Sequence, residues 1–176
     1  MLAPELTWHI AGLAKCLGAG LRVAYVVVPE ARSGWAFAAS VRAAAVMASP
    51  ITVALATRWI MDGTGDALLS AVRKESIERQ KLVVEILSAD GVRTDSAGFH
   101  LWVSLPQPWT RSALVGHMRQ TGISVVASDA FITGTAAPEA VRVCLGGPAD
   151  RAGVRAALEF MAHALTESPA RASSFL

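Results

Sequence analysis

Two apolar runs open the chain. Leu6–Ala11 and Arg22–Val28 are bounded by glycines and by Pro29, and predict two buried strands. Ala31–Met47 predicts a helix that packs through Trp35, Phe37, Val41 and Val46. Ser49-Pro50 predicts a helix start, with serine as the cap and proline in the first turn. Ile51, Leu55 and Trp59 then recur every fourth residue along one face. Gly63-Thr64-Gly65-Asp66 breaks this helix and opens another, predicted over Asp66–Ser88. Its middle is polar, with Lys74–Glu78, Glu75–Arg79 and Lys81–Glu85 at ion-pair spacing. Leu68, Leu69, Val72, Ile77, Val83, Val84 and Leu87 place apolar contacts toward its ends. That pattern suits a bridge between two units, and equally an ordinary amphipathic surface helix.

Beyond Asp90-Gly91 the rhythm shortens. Val92–Thr94 and Phe99–Leu105 read as strands, the second alternating and stopping at Pro106. Thr110 caps a helix that runs to Gln120 and ends at Gly122. Ile123–Ala127 and Ala140–Leu145 are further strands, and Ala149–Thr166 is a helix with Val154, Leu158, Met161 and Leu165 on one face. The expected unit is a mostly antiparallel sheet with helices on one side, an α+β layer. Ser168–Leu176 reads as a frayed tail.

Composition narrows the class. The 176 residues are 53% hydrophobic and 17% charged, the profile of a globular chain large enough for one or two compact units. A formal charge of +2 with no dense Lys/Arg cluster predicts no nucleic-acid contact from this segment. Cys16 and Cys144 lack disulfide or metal spacing, so reduced cytosolic thiols are expected. The start carries no basic and apolar leader pattern. The longest uncharged run, Ala43–Thr57, contains Pro50 and falls short of the roughly 20 residues that span a bilayer. The expected setting is therefore cytoplasmic, with no membrane partner.

Candidate chemistry sits in few places. Lys15 lies among small apolar residues, where burial would favour its neutral, nucleophilic form. Gly18 and Gly20 would let backbone N–H groups approach an anion, and Arg22 adds a donor fork. On composition alone the same stretch is two strands joined by a loop, with a surface lysine and a surface arginine. Arg142 stands inside the apolar strand Ala140–Leu145, either on a solvent face or meeting an anion. His100 could border a ligand or be satisfied by neighbours, His117 and His163 read as structural helix residues, and Asp129 has no assigned role. No Ser/His/Asp set, paired carboxylates or dinucleotide loop occurs.

The segment around Lys15, with Gly20-Leu21-Arg22 and Tyr25, resembles the cofactor-lysine motif of fold-type I pyridoxal-phosphate (PLP) aminotransferases of class I/II. With Gly98-Phe99-His100-Leu101-Trp102 and Arg142, it is most similar to the aminotransferase-like domain of MocR-type regulators of the GntR family. The resemblance runs from about Thr7 to Leu165. It implies an α/β fold: the C-terminal part of the large domain followed by a small α+β domain. Residues 1–62 would be the large-domain remnant, 63–90 an interdomain helix, 91–167 the small domain and 168–176 a tail. Lys15 would carry PLP, Arg22 would hold its phosphate, Arg142 would fork onto a substrate carboxylate and His100 would border the ligand. Two family hydroxyls are replaced by Gly12 and Ala14, and Ala24 stands for a glycine. The implied protein is a homodimer binding an amino acid or amine, with a DNA-binding domain upstream. A stand-alone aminotransferase and an inactive dimerisation module are the alternatives. The family's ring-stacking aromatic and pyridine-pairing aspartate would precede this segment, so this chain alone is expected to be inactive.

Overall fold

In the computed structural model, residues 3–87 and 90–172 are described. The predicted helix end at Ser88 and the end of the predicted tail lie outside them. The chain divides into two compact units, Met1–Val72 and Arg73–Leu176.

In the first unit the two apolar runs form an antiparallel pair. β1 (His9–Gly12) lies against β2 (Ala24–Val27), with His9 opposite Val27 and Gly12 opposite Ala24. Pro4–Leu6 form a 3₁₀ turn rather than the start of the strand. The expectation of buried strands fails: every residue of β1 and most of β2 are exposed. A two-stranded sheet has no strand beyond either partner, and no layer of this unit covers it. Between the strands, two short 3₁₀ turns, Leu13–Lys15 and Ala19–Leu21, fold inward through Leu13 and Leu21. With Val23 and Ala56 these make a small buried cluster, flanked by Cys16, Leu17 and Trp59.

Helix α1 (Ala31–Ala45) has no buried residue, so the contacts expected of Trp35 and Val46 do not form. Phe37 meets Trp8 edge-on, with ring centroids 5.5 Å apart. In α2 (Pro50–Met61), Ser49 supplies no side-chain cap; Pro50 sets the first turn by its fixed φ. The expected Ile51–Leu55–Trp59 stripe is largely exposed, and the buried residue is Ala56. The break before α3 (Thr64–Ile86) is made by Gly63 at φ 81° and by Asp62, whose carboxylate accepts from the Thr64 amide at 3.0 Å.

The second unit carries a four-stranded antiparallel sheet in the order β3 (Val92–Thr94), β4 (His100–Ser104), β6 (Ala140–Cys144), β5 (Val126–Ala127). The last strand is shorter than expected: Ile123–Val125 lie outside the ladder. Alternation sends Leu101, Val103, Val141 and Val143 into the core. Helices α4 (Arg111–Gln120) and α5 (Arg151–Thr166) cover that face with Leu114, Met118, Val154, Leu158 and Met161. Thr110 and Asp150 cap them by accepting from the Ala113 and Gly153 amides. Trp109 fills the core and donates its indole N–H to the carbonyls of Ala164 and Glu167. The tail begins with one further turn, α6 (Pro169–Ala172), where a frayed chain was expected.

The polar middle of α3 is not a wet face. Ser76, Arg79 and Gln80 are buried. Ser76 donates to the carbonyls of Ala97 and Gly98 at 2.8 Å, and Gln80 to Gly98 at 2.8 Å. Arg79 donates to the carbonyls of Leu145 at 2.6 Å and Pro148 at 3.0 Å. Helix α3 thus secures the turns on either side of the β4–β6 pair. The expected ion pairs are partly re-partnered: Lys81 meets Glu78 at 2.7 Å, while Glu85 takes a two-pronged pair from Arg155.

Candidate functional site

Lys15 ends the first 3₁₀ turn, and Arg22 follows the second. The turns face one another, and the first is tied to the residue before β2 by the Leu13 amide donating to the Val23 carbonyl at 2.9 Å. Both cations are exposed, and among the described residues neither side chain has a hydrogen-bond or ion-pair partner. Arg22 adopts the left-handed conformation, φ 49° and ψ 33°. A non-glycine residue there carries about 1–3 kcal/mol of strain and is found disproportionately at ligand sites. Nothing in the residue pattern announced this backbone choice. A Cβ added at Gly12, Gly18 or Gly20 would meet nothing within 4 Å, so the space above the loop is open.

A pyridoxal phosphate fits this stretch in part. Its aldehyde suits an amine and its phosphate suits a guanidinium; Lys15 and Arg22 are an unpartnered amine and an unpartnered guanidinium beside an open glycine loop. The remainder of such a cup, including the hydroxyls replaced by Gly12 and Ala14, is not supplied by this stretch.

Arg142 lies in the second unit, on the sheet face turned away from α4 and α5. In register it stands between Trp102 of β4 and Val126 of β5. Its guanidinium carbon sits 4.7 Å from the centre of the Phe131 ring, and its Nε is buried with no hydrogen-bond partner. Phe131 in turn meets Trp102 edge-on, with centroids 5.9 Å apart. His100 is half-buried on the same face, opposite Cys144 and edge-on to Phe99.

The loop carrying Phe131 is fixed from below. Ser128, fully buried, donates to the Pro138 carbonyl. Arg111 pairs with Glu139 at 2.6 Å and Asp129 at 3.4 Å, which gives Asp129 a structural role. Sequence pattern singles out Arg142 and His100 but not Phe131, which ends a short 3₁₀ turn, Ser128–Phe131, whose contact with β6 no periodicity describes.

The other histidines are structural in their surroundings. His117 is buried, stacked on Phe160 at 5.1 Å and tilted against Trp109. His163 is exposed and reaches Glu167 at 3.6 Å. Among the described residues no cluster of His, Cys, Asp or Glu could hold a metal ion, and no helix is long and apolar enough to cross a membrane.

No protein-family model matches the chain. An uncharacterized HTH-type transcriptional regulator of Bacillus subtilis, YdeF, is 29% identical over 147 residues, which are 83% of this chain and 32% of the relative. The chain thus spans about a third of the length of that curated relative. Among solved structures, LysN, an α-aminoadipate aminotransferase of Thermus thermophilus complexed with N-(5'-phosphopyridoxyl)-L-leucine, superposes with a TM-score of 0.78 at 17% identity. The match covers 99% of this chain and 46% of LysN. An aromatic aminotransferase of Pyrococcus horikoshii matches with a TM-score of 0.76 at 21% identity, over 91% of this chain and 43% of that one. The kynurenine aminotransferase of the same organism, in complex with PMP, matches with a TM-score of 0.77 at 16% identity, over 90% and 40%. The α/β architecture therefore resembles the C-terminal portion of the aminotransferase fold.

Proposed function

We propose that the chain is the C-terminal part of a PLP-binding, effector-sensing domain in a MocR-type regulator of the GntR family. The observation that carries this reading is the likeness to the HTH-type regulator over 83% of the chain. The unpartnered Lys15 and Arg22 support it. In the intact protein Lys15 holds the cofactor through its amine, and Arg22 anchors the phosphate through paired N–H donors. Bound there, PLP would supply an aldehyde that takes up primary amines. Arg142 meets the carboxylate of an amino-acid ligand, its Nε being a buried donor with no partner in the chain. His100 borders the same face. The protein is a cytoplasmic homodimer whose ligand occupancy is passed to a DNA-binding domain.

The test is a PLP titration of the full-length protein, read as a visible absorbance band and as quenching of intrinsic tryptophan fluorescence. Lys15→Ala removes the band, and Arg22→Gln weakens binding by about tenfold, the loss of one charge-assisted contact of about 1.5 kcal/mol. A band indifferent to Lys15 contradicts the reading. Turnover of amino donors by the full-length protein would replace the sensor with an aminotransferase.

A further inference from the structure

We infer that Phe131 is a positioning and selectivity residue for the ligand of Arg142, and that the ligand class is a carboxylate whose adjoining group is apolar or aromatic. This rests on the carboxylate role of Arg142 proposed above. The Arg142 guanidinium carbon lies over the Phe131 ring, 4.7 Å from its centroid. A guanidinium so placed is attracted by the ring's negative face and keeps its N–H donors for an anion. Its Nε is a buried donor without a partner.

The surroundings select what can accompany the carboxylate. Phe131 and Trp102 make an edge-to-face aromatic corner beside the guanidinium, and Phe131 is 44% exposed, so its ring is reachable. The sheet row through Arg142 reads Arg93, Trp102, Arg142, Val126, with two cations and no carboxylate. The flanking positions on the same face are His100 and Cys144 on one side, Ser104 and Ala140 on the other. A cationic ligand side chain would be repelled by Arg142, whereas an apolar one would lie on aromatic surface. The corner is held in place by the Ser128–Pro138 hydrogen bond and the Arg111 ion pairs.

The experiment uses the full chain, with the Arg142 Nε–H resonance followed by NMR during titration with 3-phenylpropionate, propionate and 2-phenylethylamine. The expected order is 3-phenylpropionate tighter than propionate, with no response to the amine. Phe131→Leu keeps apolar bulk but removes the π face; it weakens 3-phenylpropionate by about three- to tenfold, the range of a cation–π contact. Phe131→Tyr restores binding to within about twofold. If Arg142→Gln abolishes binding while Phe131→Leu and Phe131→Tyr both match the unmodified chain, the role of Phe131 is overturned and the carboxylate role of Arg142 stands. If no carboxylate moves the Arg142 resonance, both fall.

Discussion

The two units of this chain solve the same problem unequally. The second buries a continuous apolar core of fifteen side chains drawn from a sheet, two covering helices and the end of α3. Among the described residues the first buries four in its cluster, although its sequence is at least as apolar. Trp35 is 75% exposed, Ile51 80% and Met61 82%, and the whole of α1 buries nothing. Backbone conformation divides the same way. Both non-glycine residues with positive φ, Arg22 and Val46, are in the first unit, while the second places only Gly91 and Gly122 there. The lesson is that apolar periodicity states which face wants burial, not whether a partner surface is at hand. Large apolar side chains left exposed in this number are more than the unit's own elements cover. This agrees with a chain that spans less than half of the aminotransferases it resembles.

Core truncation separates the units most strongly. Leu114→Ala, at a fully buried position, should cost about 3 kcal/mol of stability in urea denaturation, the ordinary price of such a cavity. Trp35→Ala, although it removes more atoms, should change stability by no more than about 0.5 kcal/mol. Comparable losses at the two positions would break the contrast.

Next in size is the buried polar anchor of α3. Arg79→Met strands the carbonyls of Leu145 and Pro148, and should cost about 2 kcal/mol with accelerated amide exchange in the turn after β6. A neutral result would mean that these carbonyls find other donors.

A smaller effect is expected at Gly122, which ends α4 at φ 78° with open space where a Cβ would stand. Gly122→Ala should cost about 1 kcal/mol from backbone strain alone, measured by thermal unfolding. No loss would show that this turn relaxes.

The smallest and most specific effect is acid sensitivity. Hydrogen bonds from Arg151 and then Arg79 hold the Glu75 carboxyl well below its ordinary 4.5, at about 2. A depressed carboxylate stabilises the fold fully above pH 4.5, and that contribution is lost as the pH falls through about 2. Glu78 and Glu85 shift in the same direction through Lys81 and Arg155. Glu75→Gln should flatten the stability–pH curve across this window; an unchanged slope would assign it to other carboxyls.

Much of the second unit was legible in the sequence. Thr110 before an apolar-periodic helix and Gly122 after it mark α4 at both ends. Alternation in Leu101–Val103 and Val141–Val143 sets the buried face and therefore places Arg142 on the other. What the pattern could not state was non-local. Arg79 looks like one half of a surface ion pair with Glu75, and only the fold brings carbonyls 66 and 69 residues away onto it. Phe131 ends a short 3₁₀ turn, and its partner Arg142 is identified by ring geometry alone. In the first unit the strands and helices were legible, but their exposure was not, because apolar periodicity does not say whether a covering surface exists. Lys15 and Arg22 were singled out by a motif resemblance, whereas the left-handed backbone at Arg22 emerged only from the fold.

Native-state amide hydrogen exchange over both units, read residue by residue, tests the central contrast most directly. Protection in β4, β6 and α5 should approach that of global unfolding, while β1, β2 and α1 exchange orders of magnitude faster. Uniform protection across the two units would contradict the account, since it would mean that the first unit is as self-sufficient as the second.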